Sequence, residues 1–416
     1  MADRQLDLVL YGATGFTGSL VAEYLAKHQP EGFRWALAGR SASKLEAVRQ
    51  RLAAQDAALA DLPILVADSR DRASLDALAT ATKAVCTTVG PYARYGYDLV
   101  AACVDAGTDY CDLTGETHFV RHLIDRHHEA AQASGARIVP CCGFDSIPSD
   151  LGTWALQREV EALHGRPCEA ITLYVDRAKG GVSGGTIASM LNIVEEATRD
   201  PSVRKIAGHP YALNPEGERS GPDGSDQMGL GRAPDGRPTA PFVMAAINTR
   251  VVRRSNALLG YAYGRDFRYA EVMRFPATPK GQALALGMTA GLGALMLGLG
   301  VGPTRRLLAE RVLPKPGEGP SADEREAGYF RMSLEGHGHD ATGKPFEARY
   351  RVEGDLDPGY GQTAVMLGEA ALCLALDPSP AGPAGLRGGV LTPASALGAA
   401  LLERLRAAGM RFELSG

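Results

Sequence analysis

The sequence lacks an excess of basic residues, and this argues against nucleic acid as a partner. Its 416 residues include 44 lysines and arginines against 48 aspartates and glutamates, which gives a formal net charge of -4. Binding to a phosphate backbone depends on clustered cations that displace its counterions. A chain of this length is instead expected to form two globular domains.

Cysteine is scarce, and its spacing does not fit the common metal and disulfide frameworks. The seven cysteines are odd in number and include no C-x-x-C pair, so we expect reduced core residues. Adjacent Cys141 and Cys142 keep a redox or catalytic pair open as an alternative. His118 and His122 have the i, i+4 spacing of zinc ligands but lack the intervening glutamate of the H-E-x-x-H motif, so no metal is predicted.

The first ten residues lack the apolar run of a secretory leader and carry three charged side chains. We therefore expect a cytoplasmic protein. A peripheral position on the inner membrane face is the alternative if the apolar segment 281–304 contacts lipid.

Segment 281–304 contains no charged residue and exceeds the roughly 20 residues with which a helix crosses a bilayer. Its seven glycines weaken a spanning helix and leave open a membrane-surface hairpin, an acyl-chain tunnel or a homodimer interface.

Short apolar runs alternate with amphipathic stretches over the first ~145 residues, a rhythm typical of parallel sheets covered by helices. We predict an α/β fold, with a Rossmann-type doubly wound parallel sheet of six strands followed by a second α+β domain with a mixed sheet. The predicted domains are residues 1–150 for cofactor binding, 151–360 for substrate and interface, and 361–416 for C-terminal helices that pack back on the first domain. Within the second domain we predict a strand at Thr249 to Val252 and a mobile loop or lid at Asn214 to Arg237.

A glycine-rich loop between an apolar strand and an amphipathic helix predicts a dinucleotide-binding site. Gly12 permits a tight turn, Gly15 lets the backbone approach a pyrophosphate, and Gly18 allows the helix to pack closely on the strand. The residues predicted to contact the cofactor here are Gly12, Ala13, Thr14, Gly15, Phe16, Thr17 and Gly18.

The residue that closes the second strand distinguishes NADP from NAD, because an acidic side chain there binds ribose hydroxyls and a cation accommodates a 2′-phosphate. Arg40 occupies this position, Ser41 adds a hydroxyl, and Lys44 follows within one turn. The sequence therefore predicts NADP as the cofactor. Ser43 and Glu46 also fit a reciprocal capping box at the start of the next helix.

Other candidate residues follow the carboxyl ends of later strands, where ligands bind in such sheets. Asp68 closes strand three near the expected adenine, and the loop after strand four is predicted to border the nicotinamide through Val89, Gly90, Pro91 and Tyr92. The Tyr92 hydroxyl is the candidate proton donor. Asp145 and Ser146, after strand six, are candidates to orient substrate or Tyr92.

Several of these segments together resemble the saccharopine dehydrogenase-like oxidoreductases, and others resemble the mycobacterial trans-acting enoyl reductases within that superfamily. The first set is 10–18, 38–41, 89–92, 109–116 and 142–150, and the second is 248–257, 311–320 and 389–393. The resemblance implies a Rossmann domain with an inserted sheet domain, NADPH, and reduction of an enoyl double bond in a polyketide-derived lipid held by a synthase.

The expected reaction is then hydride transfer from NADPH to the β-carbon of an enoyl thioester, with a small-molecule or carrier-bound acyl-lipid substrate as the partner. One alternative is a saccharopine-type imine reductase or amino-acid dehydrogenase, in which Arg250, Arg253 and Arg254 hold substrate carboxylates. Another is a non-catalytic NADP-binding sensor or scaffold at lipid surfaces.

Overall fold

The computed structural model describes residues 4–180, 184–305, 319–377 and 386–415, and two sheets organise it. The strands are β1 (Leu6–Tyr11), β2 (Trp35–Gly39), β3 (Ile64–Val66), β4 (Thr82–Thr87), β5 (Asp109–Cys111), β6 (Arg137–Val139), β7 (Ala170–Lys179), β8 (Gly231–Arg232), β9 (Pro238–Pro241), β10 (Arg268–Arg274), β11 (Tyr329–His339), β12 (Pro345–Gly354), β13 (Gly389–Val390) and β14 (Arg411–Leu414).

Helices connect and cover these strands. They are α1 (Phe16–His28), α2 (Ala42–Ala53), α3 (Arg72–Ala81), α4 (Tyr92–Tyr95), α5 (Tyr97–Ala106), α6 (Thr117–Ser134), α7 (Ile147–His164), α8 (Gly184–Arg199), α9 (Pro201–Gly208), α10 (Ala245–Leu258), α11 (Pro279–Gly300), α12 (Ala322–Glu326), α13 (Gly361–Leu376), α14 (Pro393–Ala396) and α15 (Gly398–Ala407), with a 3₁₀ turn at Ala57–Leu59.

The first sheet is parallel throughout and has the order β13-β6-β5-β4-β1-β2-β3. Its order reverses between β1 and β4, and a ligand crevice forms at such a switch point. The predicted doubly wound sheet is confirmed. The seventh strand, β13, was not predicted, because two residues are too short to show a periodic pattern.

The second sheet is mixed, as predicted, with the order β14-β12-β11-β7-β10-β9-β8. Only β7 and β10 pair in parallel, and the other neighbours are antiparallel. The predicted strand at Thr249 to Val252 is wrong, because these residues lie within helix α10. The β-branched pair Val251 and Val252 favours a strand locally, but tertiary packing buries nearly all of the helix around it.

The C-terminal part of the chain contributes to both domains. Helix α13 packs on α1 and on strands β1, β4 and β5 of the first sheet. Strand β14, however, pairs with β12 at the edge of the second sheet. The chain end therefore ties the two sheets together.

The segment from Asn214 to Arg237 is irregular apart from the two-residue strand β8, and the structure anchors it to α10. Asp223 accepts a hydrogen bond from Arg253 Nε at 2.7 Å, and Asp226 forms an ion pair with Arg250. All four side chains are largely buried, and a paired buried charge is costly to separate. These contacts are inconsistent with a freely mobile lid.

The apolar segment forms helix α11, which begins at the Thr278 cap and runs for 22 residues. It packs against β9 and α8. Within the described residues it is the one helix long and apolar enough to cross a bilayer, with a mean hydropathy of 1.7. Only 11% of its most apolar window is buried, so α11 is not a core helix.

Candidate active site

The glycine-rich loop has the geometry that close approach to a pyrophosphate requires. Gly12 has a φ of +93°, which favours glycine, and a Cβ there would lie 2.7 Å from Thr88 Oγ1. A Cβ on Gly18 would lie 2.1 Å from the Gly12 carbonyl oxygen. By contrast, a Cβ on Gly15 would come no closer than 3.4 Å to a described atom. The fold therefore requires glycine at Gly12 and Gly18, whereas the absence of a side chain at Gly15 leaves space for a ligand beside the loop.

Helix α1 presents its N-terminus to this loop. Its N-cap is Gly15, and no side chain caps the first turn, so the amides of Phe16, Thr17 and Gly18 stay available to an anion. Phe16 packs on its outer side against Tyr360, with ring centroids 4.7 Å apart, and under the guanidinium of Arg325. The cradle fits the pyrophosphate of a dinucleotide.

Arg40 lies at the end of β2, is exposed, and forms no hydrogen bond with any residue that the structure describes. Lys44 is also exposed, on the first turn of α2. A guanidinium in this position suits a 2′-phosphate.

The N-cap of α2 differs from the prediction. Ser41 accepts the Lys44 amide at 3.4 Å, so Ser41 and not Ser43 caps the helix. Ser41 is closer to the strand end, where the helix begins.

The ends of the first three strands meet around the Tyr11 side chain. Burial and the negative charge of Asp68 raise the pKa of the Tyr11 hydroxyl, and the positive charge of Arg40 opposes them. Asp68 Oδ1 also accepts the Arg70 amide at 3.0 Å, which holds the turn into α3. The structure thus brings Asp68 and Arg40, both predicted cofactor residues, to one side of the sheet.

The loop after β4 places Val89, Gly90 and Pro91 beside the glycine-rich loop, since the Thr88 amide donates to the Tyr11 carbonyl at 3.0 Å. Tyr92 follows them but faces inward. Its hydroxyl donates to the Thr87 carbonyl at 3.2 Å and accepts the Leu113 amide at 3.5 Å.

Burial raises the pKa of the Tyr92 hydroxyl well above its usual value. Both the backbone partners and the raised pKa disfavour proton donation from this hydroxyl. The predicted role of Tyr92 therefore has no support in this geometry, and the side chain instead packs beside the Phe119 ring.

Glu116 connects the start of α4 with helix α8. It was not among the predicted site residues. Its carboxylate accepts the amides of Tyr92 at 2.8 Å and Ala93 at 3.0 Å, at the start of α4. It also accepts the Ser189 hydroxyl of α8 at 2.8 Å. The signal in the sequence was an acidic residue in the polar segment after strand five, where a negative charge can stabilise a neighbouring helix N-terminus.

Asp145 lies in the loop between β6 and α7 and has a free, half-buried carboxyl group. Burial, followed by the negative charge of Asp112, raises the pKa of Asp145 to about 7. No hydrogen bond from a described residue offsets these two effects. A carboxyl group with this pKa carries a proton for much of the time at neutral pH and is able to donate it.

The backbone around Asp145 is tightly held. Cys141 adopts a left-handed conformation with a φ of 65°, which is unusual for a residue with a side chain. The Cys142 amide donates to the Asp112 carbonyl at 2.7 Å, and the Phe144 amide donates to Thr363 Oγ1 at 3.1 Å. Strained but well-anchored loops of this kind are common at active sites.

Ser146 is fully buried and connects the same loop to the second domain. Its hydroxyl donates to Asn248 Oδ1 at 3.0 Å, and Asn248 Nδ2 donates to Glu271 Oε2 at 3.0 Å. The Tyr269 hydroxyl donates to the other oxygen of Glu271 at 2.8 Å. Asn248 and Glu271 were missed in the sequence, although an acidic residue inside the apolar strand 269–273 was a visible signal of a buried polar network.

The three arginines proposed to hold substrate carboxylates are all engaged inside the protein. Arg250 pairs with Asp226, and Arg253 pairs with Asp223. Arg254 donates to the carbonyl oxygens of Leu213 and Val390 and is 1% exposed. All three guanidinium groups are occupied by these contacts, so the structure does not support a carboxylate-binding site at these positions.

The surroundings of the cysteines and of His118 and His122 indicate structural roles rather than catalysis or metal binding. All seven cysteines are buried and free, and burial raises the pKa of the Cys141 and Cys142 thiols well above the usual value. Such thiols are poor nucleophiles. His118 Nε2 lies 2.8 Å from a Glu196 oxygen, and the His122 ring contacts Tyr97. In the described ranges, no three potential metal ligands cluster together.

Comparisons with known proteins agree with this architecture. Residues 8–139 match the NADP-binding domain of saccharopine dehydrogenase. The chain is 44% identical over 427 residues to the trans-acting enoyl reductase of Mycobacterium tuberculosis, covering 98% of this chain and 97% of the relative. It is 42% identical over 424 residues to the Mycobacterium ulcerans trans-acting enoyl reductase, with 98% and 97% coverage.

A second relative from Mycobacterium tuberculosis is 47% identical over 420 residues, or 99% of this chain and 97% of its own length. Among solved structures, saccharopine dehydrogenase (L-Glu forming) of Saccharomyces cerevisiae gives a TM-score of 0.52 over 98% of this chain and 99% of that chain. Its sequence identity is 12%, so this likeness concerns the fold alone.

The fold, the glycine-rich cradle and these matches define the protein as an NADP-dependent oxidoreductase. The chain belongs to the trans-acting enoyl reductase family, within the saccharopine dehydrogenase-like oxidoreductases.

Proposed function

We propose that this protein uses NADPH to reduce the α,β-double bond of an acyl thioester of lipid or polyketide type, presented by a carrier. The observation that carries the proposal is the extent of the identity with enoyl reductases, which covers 98% of the chain and therefore both domains. A shared cofactor domain alone would support only a general oxidoreductase.

The reaction needs one hydride and one proton. NADPH, when bound in the cradle of Gly12, Gly15 and Gly18, supplies the hydride to the β-carbon of the substrate. The electrons of the double bond then form an enolate on the thioester, and a proton completes the product at the α-carbon. The protein must therefore hold a proton donor near the nicotinamide end of the cofactor.

We assign the proton donor to Asp145 in place of Tyr92. Asp145 follows β6 on the carboxyl edge of the parallel sheet, where ligands bind, and its carboxyl has no hydrogen-bond partner among the described residues. A pKa of about 7 suits proton donation at neutral pH. Ser146 positions the loop through its bond to Asn248 rather than contacting substrate.

The three arginines considered for the rival amino-acid chemistry do not form a substrate site. A saccharopine-type substrate carries several carboxylates, and these need cations that are free to bind them. Arg250 and Arg253 are instead paired with aspartates, and Arg254 is bound to backbone carbonyl oxygens. A non-catalytic sensor or scaffold does not need an unpartnered carboxyl with a pKa near neutrality.

The test is NADPH oxidation, followed by absorbance, with long-chain enoyl thioesters and with saccharopine plus NADP⁺ as the competing pair. The proposal predicts oxidation that depends on the enoyl thioester and is lost in Asp145→Asn while NADPH binding is retained. Activity with the amino-acid pair alone contradicts the proposed substrate class. Tight NADPH binding without turnover of any enoyl thioester favours the sensor.

A further inference from the structure

One side of helix α11 exposes a continuous apolar surface to solvent. Its most exposed large side chains are Leu284 at 51%, Leu286 at 57% and Leu297 at 76%, and Val301, directly after the helix, is 54% exposed. The buried positions Gly281, Ala285 and Leu299 define a narrow strip on the opposite side. Because successive residues are about 100° apart, the three leucines span an arc of roughly 160° of the helix surface.

The outer surface carries no charged side chain and contacts no described neighbour. No charged residue occurs from Gly281 to Thr304, whereas a helix face in contact with water is normally polar. A Cβ built on Gly287, Gly291 or Gly293 would meet no atom of the described residues within 4 Å. Apolar area of this extent normally marks an interaction surface.

We propose that α11 inserts this surface into a phospholipid bilayer. Because one strip of α11 packs on β9 and α8, the helix would lie along the membrane surface and bury its outer face among the acyl chains rather than cross the bilayer. A single packed helix would cover one strip of the surface, but lipid tails cover the whole exposed arc. Lys280 immediately precedes the uncharged segment and is exposed, so this cation is placed for contact with anionic headgroups.

The inserted helix is connected to the candidate active site. Helix α11 packs against α8, and Ser189 of α8 donates to Glu116, which caps the helix beginning at Tyr92. Insertion therefore places a lipid surface on the side of the protein from which α8 supports the loop after β4. The inference rests on the exposed surface of α11 and holds whether or not the proposed function is correct.

The first test is sedimentation with vesicles of phosphatidylethanolamine and phosphatidylglycerol. Leu297→Asp and Leu286→Asp are expected to lower vesicle binding by about tenfold or more, because a carboxylate is strongly disfavoured in the hydrocarbon core. Leu163→Asp is the matched control, since Leu163 is 64% exposed at the end of α7, away from α11. Unchanged melting temperature and NADPH binding show that the variants are folded.

The second test measures insertion of the helix by fluorescence quenching. A Leu297→Trp variant is examined with vesicles that contain brominated acyl chains, and Leu163→Trp serves as its control. The native Trp35 and Trp154 are 2% and 7% exposed, so they should be little quenched.

Selective quenching of the Leu297→Trp fluorescence supports insertion. Absence of binding by the unaltered protein, or binding without quenching, overturns it. Stable dimers of the unaltered protein without lipid, broken by Leu297→Asp, also overturn it, because a second copy then covers the helix.

Discussion

The Ser146 hydroxyl donates a hydrogen bond to Asn248 Oδ1 at 3.0 Å. This bond joins the loop of the first domain that carries Asp145 to helix α10 of the second. Asn248 continues the connection to Glu271 in the second sheet. The second domain therefore fixes the position of the proposed proton donor, which lies in the first.

The buried network makes the stability of the protein depend on pH. Burial raises the pKa of Glu271 from 4.5 to about 7. The unfolded chain therefore loses this proton at lower pH than the folded chain, and the free energy of unfolding falls as pH rises through this window. Glu271→Gln should remove this contribution, on the order of 3 kcal/mol at most. Urea unfolding at several pH values between the two pKa values measures the change.

The matched control for this prediction is Glu347→Gln, because Glu347 is exposed on β12. It should leave the dependence on pH as it is. A Glu271→Gln protein with the same dependence as the unaltered chain would show that Glu271 is not protonated in the folded state.

Substitutions at two glycines of the glycine-rich loop should distinguish an effect on cofactor binding from an effect on folding stability. Gly15→Ala is expected to leave the melting temperature nearly unchanged, because its Cβ would lie 3.4 Å from the nearest described atom, but to weaken NADPH binding by about tenfold. Gly18→Ala should lower both, since its Cβ would lie 2.1 Å from the Gly12 carbonyl oxygen. Calorimetric titration and thermal unfolding measure the two effects, and equal losses of stability in both variants would contradict the assignment.

Arg40 should set the preference for NADPH over NADH. Arg40→Ala removes the cation at the end of β2, so NADPH affinity should fall by about tenfold or more while NADH affinity stays the same. Arg126→Ala, on the exposed surface of α6, is the control. A parallel loss of both cofactors would mean that Arg40 stabilises the loop rather than binding the 2′-phosphate.

Proton donation by Asp145 predicts a specific pH profile. Turnover of an enoyl thioester should fall as pH rises above about 7, because the carboxyl then loses the proton that it must donate. Asp145→Asn should reduce kcat by about 10²-fold and remove that limb of the profile. Tyr92→Phe should retain most of the activity, since the Tyr92 hydroxyl is bound to the Thr87 carbonyl. The reverse ranking of the two variants would return the role to Tyr92.

Much of the first domain could be predicted from the sequence because its signals are local. The apolar strand before Gly12 and the glycine spacing after it specify a turn and a helix N-terminus within a few residues. Local signals also have limits. Val251 and Val252 favour a strand, but the packing of α10 overrides that preference.

The site could be predicted only in part because several of its contacts join residues that are far apart in the sequence. That Asp145 ends a strand is visible in the sequence, whereas its pKa depends on burial and on Asp112. The inward orientation of Tyr92 depends on Thr87 and Leu113, which hold its hydroxyl. Neither effect follows from spacing along the chain.

The measurement that tests the central claim most directly is isotope transfer from NADPH carrying deuterium at C4 of the nicotinamide. With a long-chain enoyl thioester, the account predicts a saturated product with one deuterium on the β-carbon and a solvent-derived hydrogen on the α-carbon. Asp145→Asn should form that product far more slowly. An unreduced double bond, or deuterium on the carbonyl carbon, would contradict the proposed reaction.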